Sequence, residues 1–78
     1  MPSRKIEASE IARHYAAMGE SVDLINEIIA TGDKDEESLD AISRNVKHLE
    51  IMVTQTYWTT ENMSDVNAAI TAGNAYIA

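Results

Sequence analysis

Two stretches of this chain carry apolar residues at alternating steps of three and four, and the two sets mesh. The first runs Ile11, Tyr15, Met18, Val22, Ile25 and Ile29, the second Leu39, Ile42, Val46, Leu49 and Val53. That spacing puts each set on one face of an α-helix. In an antiparallel pair, the numbers of facing residues add to a near-constant value. Ile29 with Leu39, Ile25 with Ile42, Val22 with Val46, Met18 with Leu49 and Tyr15 with Val53 all give 67 or 68. Two stripes read independently therefore interlock along their length. They predict a helical hairpin whose side chains interdigitate at a shallow crossing angle, as in a coiled coil. A third set, Met63, Val66, Ile70 and Ile77, continues the helical phase, with Gly73 where a further apolar residue would fall.

Strand signals are weak. The chain has no Phe, a single Pro at position 2, and no run in which β-branched and polar residues alternate. The reading is an all-α single domain over residues 1–78, with helices at 4–31, 35–57 and 61–77. Gly32 ends the first helix in a left-handed cap. Asp33 followed by Glu36 resembles a capping box opening the second, with Asp35, Glu36 and Glu37 in its first turn. Thr59 or Thr60 caps the third helix and Ser3 the first. Gly19 costs about 0.5–1 kcal/mol relative to Ala within a helix. The stripe nevertheless passes from Met18 to Val22 in phase, so the first helix continues through it. Trp58 belongs in the elbow between helices two and three, with its indole N–H bonded to a partner. Ala68, Ala69, Ala72, Gly73 and Ala75 let the third helix approach the hairpin closely.

On these lengths the third helix stops short of the hairpin tip. Leu24 and Ile28 lie off the main seam of the first helix, and Ile51 and Met52 off that of the second. A chain of 78 residues gains much from covering such surface. These four residues are the candidate self-association surface, and a homo-oligomer, most simply a twofold dimer, is the expectation. The alternative is a monomer with scattered exposed apolar residues.

The net charge of −7 is confined to one region. Residues 1–19 carry Arg4, Lys5 and Arg13 against Glu7 and Glu10. Residues 20–40 carry eight acids against Lys34 alone, for a net −7. The remainder is nearly balanced. The predicted tip therefore gathers Asp33, Asp35, Glu36, Glu37 and Asp40 as a candidate interaction site. One reading is a solvated, well-capped turn. The other is an electronegative knob for a basic protein surface.

The acidic balance speaks against direct nucleic-acid binding. Ser9-Glu10-Ile11-Ala12-Arg13 matches the opening of some helix-turn-helix segments. A recognition helix after Gly19, however, would carry Glu20, Asp23 and Glu27, which phosphates repel. No apolar run approaches the 18 or so residues of a membrane span, and no basic amphipathic face suits a membrane surface. Met1 to Lys5 lead into Ile6-Glu7-Ala8-Ser9-Glu10 rather than an apolar core, so a signal peptide is not expected and the cytoplasm is.

Catalytic signals are missing. The chain has no Cys, and its only imidazoles are His14 and His48. The helical Glu-x-x-His spacing of di-iron bundles does not occur. No serine sits on a glycine-flanked elbow, and the three glycines are isolated, so no loop cradles phosphate. The expectation is a protein that is not an enzyme and needs no cofactor or metal.

His48-Leu49-Glu50-Ile51-Met52, then Trp58-Thr59-Thr60-Glu61-Asn62-Met63, then Asn67-Ala68-Ala69-Ile70 with Gly73 and Tyr76, resembles small uncharacterised proteins encoded by tailed phages, marine and cyanobacterial ones among them. The resemblance covers about residues 47–78, with the Trp-Thr-Thr-Glu elbow its most distinctive part. It implies a phage setting, and hence the host cytoplasm, but brings no functional residues with it. The functional expectation is a non-enzymatic helical protein–protein interaction module that self-associates. The alternatives are a small acidic inhibitor of a basic host or defence protein, and a minor virion or assembly component.

Overall fold

A computed structural model describes residues 6–78. Among these residues three α-helices form the fold: α1 (Ala8–Thr31), α2 (Glu36–Val53) and α3 (Ser64–Ile77). The all-α reading holds, and α1 runs through Gly19 without a break. The α1–α2 turn is four residues long. At the far end of α1 the His14 ring stacks on Tyr57, and midway Ser21 Oγ meets His48 Nδ1 at 3.1 Å. These contacts bring α1 alongside α2 and the residues that follow it.

The core is the part of those stripes that all three helices cover. Met18, Val22 and Ile25 of α1 meet Ile42, Val46 and Leu49 of α2, and Val66 and Ala69 of α3 close the third side. Gly73 is buried as well. A Cβ at that position would stand 2.5 Å from Val46 Cγ2, so the glycine lets α3 lie directly on α2. The outer members of each stripe, such as Ile29, Val53 and Ile77, are half-buried and pack around this centre.

The turn is built from short local bonds. Gly32 adopts φ 72°, the left-handed cap expected of it, and its N–H reaches the Ile29 carbonyl at 3.1 Å. The cap of α2 differs from the expected box. Asp35, not Asp33, is the N-cap residue, and its Oδ1 accepts from the Ser38 N–H at 2.7 Å. Asp33 stands one step back, its Oδ1 accepting from the Asp35 N–H at 3.0 Å. Only Glu36 and Glu37 remain in the first turn.

Other boundaries need correction. Ile6 and Glu7 are not helical, and α1 begins at Ala8; Ser3 and its expected cap lie outside the described residues. Helix α2 ends at Val53 rather than 57, because side chains take over its last carbonyls. Thr54 Oγ1 and Gln55 Nε2 both donate to the Ile51 carbonyl, and Trp58 Nε1 donates to the Met52 carbonyl at 2.7 Å. Helix α3 starts at Ser64 rather than 61. Neither Thr59 nor Thr60 caps it; the Asn62 side chain accepts from the Ser64 N–H instead.

The late start shifts α3 along the hairpin. Its first residues lie beside Gly19 and Val22, so its last turn arrives at the tip. The Tyr76 hydroxyl donates to the Asp33 carbonyl, and Lys34 Nζ donates to the Tyr76 carbonyl at 2.9 Å. The same ammonium lies 4.3 Å from the centre of the Tyr76 ring. The expectation that α3 stops short of the tip is therefore wrong. It falls short at the other end, where residues 57–61 cover the start of α1.

Candidate interaction surfaces

Three of the five tip acids are engaged within the chain. Asp33 and Asp35 hold main-chain N–H groups of the turn, and Asp40 pairs with Arg44 at 3.1 Å across one helical turn. The Ser38 main-chain N–H, followed by its side chain, holds the Asp35 carboxyl below the usual carboxylate range. Glu36 and Glu37 are exposed and have no hydrogen-bond or ion-pair partner among the described residues. Lys34 leans over Tyr76 and places one positive charge inside the acidic cluster. The sequence did not disclose this clasp. Its only signals were one lysine among acids and one tyrosine in the last turn of a small-residue helix.

The four apolar candidates separate into two kinds. Ile28 and Met52 are half-buried and pack against the core. Leu24 and Ile51 point outward, 40% and 64% exposed. By helical position Leu24 and Ile28 flank the α1–α2 seam toward the tip, while Met52 and Ile51 lie toward the elbow.

The elbow gathers four rings. His14 stacks on Tyr57 at 6.3 Å, Tyr57 meets Trp58 at 4.8 Å, and Trp58 meets Tyr15 at 6.0 Å. Tyr15 OH donates to the Asn62 carbonyl at 2.8 Å, which ties α1 to the chain entering α3. Beside the rings is an open groove of about 360 Å³ between the start of α1 and residues 57–61. Among the described residues its walls are mainly Ala, Ile, Tyr and Thr, with Glu61 as the one charged group. A smaller cleft of about 150 Å³ lies between α1 and the start of α3, with Asp23 and Asp65 at its edge. Sequence reading missed both hollows, because each depends on where the irregular 54–63 segment places α3.

Among the described residues no three His, Cys, Asp or Glu side chains gather to hold a metal ion. None of the described helices is long and apolar enough to cross a membrane. No protein-family model, curated protein or solved structure matches the chain.

Proposed function

We propose that this chain is a non-enzymatic helical interaction module that pairs with a second copy of itself through the outer flank of α1 and α2. The exposure of Ile51, at 64%, supports this reading best. A large aliphatic side chain on the outer face of a helix gains nothing from the chain's own fold. Leu24 is exposed toward the tip and Ile51 toward the elbow, and each has a half-buried neighbour, Ile28 and Met52, that packs against the core. A twofold pairing would use each of these residues twice. The resemblance of residues 47–78 to tailed-phage proteins supports an infected host cell as the setting of such a module.

Light scattering across a concentration series tests the reading, with Ile51→Glu and Leu24→Glu measured beside the unaltered chain. The expected result is a dimer that either substitution converts to monomer while helicity by circular dichroism is unchanged. Burying the exposed part of Ile51 in both copies is worth about 2–4 kcal/mol, so Ile51→Glu should weaken pairing about a hundredfold. A monomer at every concentration would overturn the proposal.

A further inference from the structure

The cleft between α1 and the start of α3 lies away from the flank assigned to self-pairing. Buried Val22 and Val66 form its floor, the Tyr15 ring its wall, and Asp23 and Asp65 its rim. The bond from Tyr15 OH to the Asn62 carbonyl holds the wall in place. At about 150 Å³ the cleft is well below the roughly 300–1,000 Å³ of sites for free drug-sized molecules. It has room for a single side chain.

Two features of the lining have no purpose within the chain's own packing. Asp23 and Asp65 have no hydrogen-bond or ion-pair partner among the described residues, although both border one small hollow. Asp65 gains something from the N-terminal dipole of α3, in whose first turn it stands; Asp23, in the second half of α1, gains nothing similar. The second feature is Gly19. A Cβ at this position meets nothing within 4 Å, so no neighbour forbids alanine, the better helix former. The missing side chain leaves the α1 backbone open to close approach at the mouth of the cleft.

We propose that this cleft receives an arginine side chain from a basic partner protein. Charge complementarity selects the occupant, since the chain carries a net −7 and both rim residues are carboxylates. The aliphatic stem of the arginine lies on Val22 and Val66, and its guanidinium plane faces Tyr15. Its fork of donors meets the two carboxylates, which accept. Lysine brings a point charge without the plane, and binds less well. The cleft exists in a monomer, so this assignment stands or falls apart from the proposed self-pairing.

An amide NMR titration of the full chain tests it, using N-acetyl-arginine methylamide, its lysine counterpart and the neutral citrulline counterpart as probes. The arginine probe should give saturable shifts at Gly19, Asp23, Asn62 and Asp65. The lysine probe should give weaker shifts at the same amides, and the citrulline probe none. Asp23→Asn and Asp65→Asn should each weaken arginine binding about two- to fivefold. Gly19→Ala should raise the melting temperature yet weaken binding, a pair of opposite signs that a folding defect cannot produce. Shifts centred on Glu36 and Glu37 would overturn the assignment. So would equal responses to arginine and lysine, or an affinity that none of the three substitutions changes.

Discussion

A methyl group added at Gly73 meets Val46 Cγ2 at 2.5 Å and Ile42 Cγ2 at 3.2 Å, whereas one added at Gly19 meets nothing. Both glycines lie within helices, so alanine improves local propensity by about 1 kcal/mol at either site. Val46 is β-branched and has few rotamers with which to move aside. Overpacking of this kind costs about 1–3 kcal/mol. Gly73→Ala should therefore destabilise the fold by up to about 2 kcal/mol on balance, and Gly19→Ala should stabilise it by about 0.5–1 kcal/mol. Urea unfolding of the two variants beside the unaltered chain checks both signs. Asp35 gives a second prediction at this scale. Ser38 lowers its carboxyl in the folded chain, so folding favours the ionised form. That contribution is present above the ordinary carboxylate value of 3.8 and is lost as pH falls through the lower folded value. Asp35→Asn keeps a good capping side chain and should flatten the acid limb of the stability curve, whereas Asp35→Ala should lower stability at neutral pH. Acid titrations followed by circular dichroism distinguish the two.

Helix α3 is held at both of its ends by contacts that lie outside the apolar stripes. At its start, Asn62 accepts from the Tyr15 hydroxyl through its carbonyl and from the Ser64 N–H through its side chain. At its end, Tyr76 and Lys34 clasp the turn. Desolvation first, then the charges of Asp33 and Asp35, raise the Tyr76 phenol above its ordinary value of 10.0. A raised value means the neutral phenol is the form the fold prefers. The clasp is intact below pH 10 and is lost as pH rises through the higher folded value. A tyrosinate can no longer donate to the Asp33 carbonyl, and it faces two carboxylates. Absorbance titration should show Tyr76 ionising above the ordinary phenol value of 10.0, and Tyr76→Phe should remove that phase and lower the melting temperature. The sequence carries the stripes that assemble the three helices because burial with a 3.6-residue period leaves its mark in residue type. It does not mark where α2 stops. Tyr57 read as the last residue of the second helix, but the indole of Trp58, expected in the elbow, reaches back to the Met52 carbonyl and the helix closes at Val53. Nor does it show where α3 begins, and a shift of three residues there decides which end of the hairpin is left uncovered. The acidic tip was legible as composition. Its employment in capping was visible only in part, because Asp33 and Asp35 stand two residues apart and either fits a cap. The cleft at Gly19 was not legible at all, since Asp23 and Asp65 come together only through packing.

For the whole molecule, the opposing pulls of charge and apolar surface set how association should respond to salt. Two copies of a chain with net charge −7 repel each other at long range. The proposed contact itself is aliphatic, through Leu24 and Ile51 with Ile28 and Met52 at its edge. Added salt screens the repulsion over about 10 Å at 0.1 M and leaves the contact untouched. Self-pairing should therefore tighten as salt rises from low to physiological strength. Docking of an acidic tip on a basic surface has the opposite dependence, because the attraction itself is screened. Glu36 and Glu37 are the clean probes for that second behaviour, since Asp35 caps α2 and changing it damages the fold. Light scattering of the double variant Glu36→Gln, Glu37→Gln should show a dimer with the mass of the unaltered chain and a weaker dependence on salt. Its lower charge leaves less repulsion to screen. A dimer that instead loosens as salt rises, and is lost in the double variant, would place the self-contact at the tip rather than on the α1–α2 flank. Leu24 and Ile51 would then be left without a partner in the self-associated form.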